Sequence, residues 1–123
     1  MDRTFKINDL FYYFDSLTNR IPIKKEFGQK PVKLPLKSDK PFAILKKLII
    51  PKQVDDRVWI NFSGDYTDIY VFIDGISIFA DENGLYEITQ YIKRGKPSVT
   101  AVVKSGIIDG LYVTVKRDKH ENK

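Results

Sequence analysis

Six carboxylates crowd the middle of the chain: Asp65, Asp68, Asp74, Asp81, Glu82 and Glu87. Two such groups at the right separation can divide acid and base roles in cleaving a glycosidic bond. Each of the six, however, stands beside a turn signal or a strand end, where Asp and Glu serve as turn formers and solvated charge. "DENG", Asp81 to Gly84, offers oxygens to a calcium ion but lacks the dispersed ligand pattern of a recognisable calcium loop. The single histidine, His120, lies in the polar tail "KRDKHENK" and is a credible part of neither a metal site nor a triad. Cysteine is absent, which removes thiol nucleophiles, disulfides and thiolate zinc sites. No glycine-rich phosphate loop of a familiar type occurs. The expectation is a protein without catalytic residues, metal or cofactor.

Aromatic side chains are the remaining chemical resource. Trp59 alternates out of phase with Val58, Ile60 and Phe62, so it faces either solvent or a second packing layer such as the N-terminal "LFYYF" arm. Tyr66, Tyr70, Phe72 and Tyr86 are candidates to share its side. Such a platform stacks on sugar rings or anchors a protein interface.

The elements that must position these residues follow from patterning. At 123 residues, 42% hydrophobic, the chain has the size and composition of one globular domain. Val58, Ile60 and Phe62 alternate with Trp59 and Asn61, and Ile69, Val71 and Ile73 with Tyr70 and Phe72. Val99, Ala101 and Val103 repeat the pattern, as do Leu111, Val113 and Val115. Repeated period-two burial with Gly or Asp between runs predicts an antiparallel β-sandwich. Asp74-Gly75 predicts a tight hairpin that folds Ile76–Phe79 back on Tyr70–Ile73, since the turn needs positive φ. "FAILKKLII" (42–50), flanked by prolines, predicts a strand. "EITQYIKRG" predicts a short helical or turn crossover stopped by Gly95. Residues 5–14, with five aromatics in ten positions, suit a short helix or a strand equally. The domain reading is an N-terminal arm or first element (1–29), a sandwich (30–116) and a polar tail (117–123).

Charge is segregated. Residues 20–52 carry +8 and residues 53–92 carry −7, within a net charge of +5. These are either ordinary solvated faces or complementary surfaces for protein contacts. So acidic a neighbour argues against nucleic acid as partner, and no nucleic-acid motif accompanies the basic stretch. The longest apolar runs are far too short to span a membrane. "MDRTFKINDLFYYF" has none of the features of a secretory leader, so the expected place of synthesis is the cytosol.

The order of the pieces carries a resemblance. "KPVKLPL", "FAILKKLIIP", "RVWINFSGDYTDIYVFIDGISI", "LYEITQYIKRG", "SVTAVVK" and "GIIDGLYVTV" follow one another between Lys30 and Lys116. This resembles the N-terminal sugar-binding, jelly-roll β-sandwich domain of family 2 glycoside hydrolases, within the galactose-binding-like class. The resemblance departs at Asp74, where Asn is commoner, in the short "ADENGLY" loop, and at "GDYTD", Gly64 to Asp68, where a turn is expected but the sequence is not the typical one, so a sugar contact is not inherited with the sandwich. It implies an all-β, antiparallel, jelly-roll-like sandwich without the catalytic barrel, which alone needs about 250 residues. The functional expectation is a non-catalytic binding or assembly module making protein–protein contacts or self-associating, in the setting of a bacteriophage virion. The alternative is a carbohydrate-binding module for a cell-surface or polysaccharide glycan.

Overall fold

The computed structural model describes residues 2–9, 11–14, 31–50, 56–92 and 96–117. Its strands in chain order are β1 (Asp2–Ile7), β2 (Phe11–Phe14), β3 (Pro31–Val32), β4 (Leu36–Ser38), β5 (Phe42–Lys47), β6 (Asp56–Ile73), β7 (Ile76–Ile78), β8 (Tyr86–Glu87) and β9 (Ser98–Arg117). One helical turn, α1 (Thr89–Ile92), precedes β9. Of the residues 5–14 that suit helix or strand, 5–7 and 11–14 are strand: β1 pairs with β9, and β2 with β5.

Two long strands build the sandwich. β6 and β9 pair antiparallel from Asp56↔Arg117 to Ile73↔Val99. The other side of β9 takes β5 at 98–103, β4 at 106–108 and β1 at 111–116 in succession. Halfway along, the pair bends over on itself. One layer is then β1, the second half of β9, the first half of β6, and β8. The other is β3, β2, β5, the first half of β9, the second half of β6, and β7. The inward residues of both layers form one core: Val58, Ile60, Phe62, Leu111, Val113 and Val115 from the first, Phe42, Ile44, Val71, Ile73, Ala101 and Val103 from the second. This is the antiparallel all-β sandwich that the alternation predicts.

The bend corrects one detail. Gly64-Asp65 and Gly106 separate alternating runs in the sequence, yet neither place is a chain reversal. The register slips between Ser63 and Gly64, a β-bulge, and both glycines have positive φ, +142° and +120°. The strands cross so closely there that a Cβ on Gly64 would strike the Ile107 carbonyl oxygen. One on Gly106 would strike that of Asp65. A bulge lets a strand change direction without leaving the sheet. Four residues on, Asp68 has a φ of 52°. That is a left-handed geometry which Asp tolerates better than most residues. Across it the core-facing positions change from even (Val58, Ile60, Phe62, Tyr66) to odd (Ile69, Val71, Ile73).

The Tyr70–Phe79 hairpin forms as predicted. Asp74 and Gly75 both have positive φ, 50° and 83°, and the register runs Ile73↔Ile76, Phe72↔Ser77, Val71↔Ile78. Asp74 also ties the turn to β9. Its backbone N–H donates to the Ser98 carbonyl, and its Oδ1 accepts from the Ser98 N–H, both at 2.9 Å. α1 stands where the crossover is expected; Gly95 lies outside the described residues.

Candidate binding surfaces

Three of the six carboxylates, Asp74, Asp81 and Glu87, are engaged by local structure. Asp81 Oδ1 accepts from the N–H groups of Asn83 (2.8 Å) and Leu85 (3.0 Å), closing the "DENG" loop on itself. Asp74 belongs to the hairpin turn. Asp65 and Asp68 are exposed beside the bend, and Glu82 is exposed in its loop. Glu87 is held on the sandwich by Arg57, whose Nε and Nη2 donate to its two oxygens at 3.0 Å. Those bonds, and one donated by Thr89 Oγ1 (2.9 Å), hold the carboxyl below the usual carboxylate range against the opposing effect of partial burial. Among the described residues no three His, Asp or Glu side chains group as a metal site; His120 lies outside them.

The five aromatic candidates do not share one surface. Tyr66 and Tyr86 pack against the core. Tyr66 Oη donates to the Phe62 carbonyl (2.8 Å), and burial pushes both phenols up, with Tyr86 adding to the shift of Tyr66. Trp59 lies on the outer face of the first layer, between Thr114 and Glu87 in register. Its ring is covered by its own neighbours. The Arg57 guanidinium sits 4.9 Å from the ring centroid and Lys116 Nζ 5.9 Å. Glu87 fixes Arg57, and Thr89 Oγ1, which bonds Glu87, accepts from the Val58 N–H (2.9 Å). The indole is thus capped by a cation that the next strand holds in place.

Tyr70 and Phe72 lie on the outer face of the other layer. Rows run across four strands there: Phe14, Ala43, Val102, Tyr70, and beside them Tyr12, Leu45, Thr100, Phe72. Phe14, Ala43 and Leu45 are buried in a second apolar cluster with Tyr12 and Val102. At the far end of the row Tyr70 is 60% exposed. Two exposed residues of the same hairpin are ones that sequence reasoning does not single out: Phe79 (85% exposed) beside Tyr70, and Ile76 (50%) at the turn end, paired with core-facing Ile73. Phe79 is one position beyond the Val71↔Ile78 pair, level with Tyr70. The signal for it was available: counting outward from the Asp74-Gly75 turn pairs 70 with 79.

The charged segments meet within the molecule. β4 and β5 carry Lys37, Lys46 and Lys47 on one side of β9, and β6 carries Asp65 and Asp68 on the other. Lys37, Ile107 and Asp65 share a row. Two strand spacings set the backbones of Lys37 and Asp65 about 10 Å apart. That is close to the screening length at physiological salt.

No protein-family model matches the sequence, and no curated protein does. Solved structures do. A β-glucuronidase from glycoside hydrolase family 2 superposes with a TM-score of 0.73 at 13% identity, covering 94% of this chain and 18% of that one. This chain folds like a sandwich domain of family 2 glycoside hydrolases. Two structures of a family 2 member from Bacteroides cellulosilyticus superpose at 0.68 and 0.63, each at 14% identity over 94% of this chain. The domain spans about a fifth of the length of the hydrolases it matches. At such identity the likeness concerns the fold. Among the described residues no helix is long and apolar enough to cross a membrane.

Proposed function

We propose that the domain is a non-catalytic binding module that works by contacting another protein, through the corner where β6 meets β7. The observation that carries this reading is the bare aromatic pair there: Tyr70 and Phe79, level with each other on the outer face of one hairpin and 60% and 85% exposed. Exposed aromatics clustered in this way anchor protein interfaces, whereas singly scattered ones need no explanation. The carboxylates support the non-catalytic part, since Asp74, Asp81 and Glu87 are engaged in turns and an ion pair. A virion setting belongs to the same reading and rests on sequence-level reasoning alone; neighbouring structural phage genes would support it.

A second reading has its own support. Two aromatic rings side by side also stack on sugars, and the fold is shared with glycoside hydrolases. The double variant Tyr70→Ser/Phe79→Ser separates the readings. Protein retention lost in the variant, with no oligosaccharide retained by either form, supports a protein partner. Oligosaccharide retention by the wild type alone supports a glycan. Turnover of an aryl glycoside, abolished by one Asp or Glu substitution, would overturn both.

A further inference from the structure

We propose that β7 is a docking edge, to which an extended strand of a partner protein adds as the next strand of the sheet. The added strand is apolar at alternate positions and carries Lys or Arg where it meets Glu82. This rests on the protein-contact reading above and specifies how the contact is made.

β7 is the last strand in its layer and, among the described residues, pairs with β6 alone. An outer strand leaves a row of backbone donors and acceptors ready for another chain. Proteins usually guard such edges with Lys, Pro or an inward charge. "ISIFA", Ile76 to Ala80, contains none of these. Ile76 and Phe79 stand open along it, with Tyr70 one strand in, so side-chain contacts are on offer beside the backbone.

Charge chooses the occupant. Asp81 and Glu82, both exposed, lie three and four positions beyond the strand, and Asp74 two before it. The sequence holds no Lys or Arg between Arg57 and Lys93, and the ion pairs of the described residues involve neither Asp81 nor Glu82. Asp74 is held by Ser98 and Asp81 by its own loop, so Glu82, exposed beside Asp81, is the carboxylate left to meet a cation on the added strand. A second copy of this chain fits poorly. Two β7 strands paired about a two-fold axis would set Asp74 of each against Asp81 and Glu82 of the other, like charges directly opposed.

The test uses fluorescein-labelled peptides of alternating Val and Thr: one with two terminal lysines, one with two glutamates there, and a lysine peptide with a central proline. Fluorescence anisotropy with the whole chain should show the lysine peptide binding about tenfold tighter than the glutamate peptide, weakening with salt. The proline peptide should not bind, because it lacks a ladder donor. Glu82→Lys, at an exposed position, should bring the two affinities together. Failure of the lysine peptide to bind, or equal binding of the proline peptide, overturns strand addition. If Phe79→Ser still abolishes contact with a native protein partner in that case, the interface reading stands and only this mode falls.

Discussion

Trp59 and the Tyr70–Phe79 pair are both aromatic groups on outer faces of the same sandwich, both carried by β6 or its hairpin. They differ in what stands across the strands. Around Trp59 the neighbours are Arg57 and Lys116, and Glu87 pins the arginine over the ring. Around Tyr70 the neighbours are Val102 and, at the hairpin edge, Phe79, with no cation among the described residues lying over either ring. Alternation decides which side chains leave the core, while cross-strand register decides which remain available. An aromatic beside a held guanidinium is part of the fold, and one with no cation across the strands is a surface.

The strongest way to break this contrast is to remove the bend that places the two groups on opposite layers. Gly64→Val puts a branched side chain at φ +142° against the Ile107 carbonyl. It should cost more than about 3 kcal/mol, through backbone strain plus steric conflict. Circular dichroism should show loss of the cooperative thermal transition. A smaller loss follows at the hairpin, where Gly75 has a φ of 83°. Gly75→Val should destabilise by more than about 1 kcal/mol. An unchanged melting temperature would place the turn elsewhere.

These two glycines show what could be read from sequence. Asp74-Gly75 lies between two alternating runs of matched length, and a two-residue turn of that composition has one common use, so the hairpin was legible. Gly64 looked alike and does something different. A Gly-Asp pair between apolar runs marks a bulge as readily as a turn. Only the pairing with β9 chooses between them. The outward placement of Trp59, Tyr70 and Phe72 follows from alternation. That the first lies on one layer and the others on the opposite layer follows from the bend, and was hidden with it. Tyr66 keeps the inward phase of Val58, Ile60 and Phe62, because the parity changes only after it, at Asp68 with its φ of 52°. No local pattern announced that, since Asp is an ordinary residue at exposed positions. The cap on Trp59 comes from Lys116, on a distant strand of the sequence, and from β8, so it required the register too.

Loosening the cap should sharpen the contrast at little cost in stability. Arg57 and Glu87 form a half-exposed ion pair. Glu87→Gln should therefore lower stability at neutral pH by no more than about 1 kcal/mol. The Trp59 emission should shift as Arg57 loses its Glu87 partner. The pH dependence has a definite sign. Arg57 holds the folded Glu87 carboxyl below its ordinary value. Its contribution is therefore present above the unfolded carboxylate pKa of about 4.3, and is lost as pH falls through the lower folded value. Wild type and Glu87→Gln should converge in stability at the acid end of that window. A gap that persists unchanged into strong acid would mean that the pair is not what separates them. The smallest effect belongs to Phe79, whose side chain is 85% exposed. Phe79→Ser should change stability by less than about 0.5 kcal/mol. A large loss in urea denaturation would mean that Phe79 serves the fold.

The most direct measurement is a pull-down from native context with three forms of the chain in parallel: wild type, Tyr70→Ser/Phe79→Ser and Trp59→Phe. The prediction is one protein retained in stoichiometric amount by wild type and by Trp59→Phe, and lost with the double variant. Equal retention by all three forms, or loss with Trp59→Phe alone, would contradict the assignment of the β6–β7 corner as the working surface.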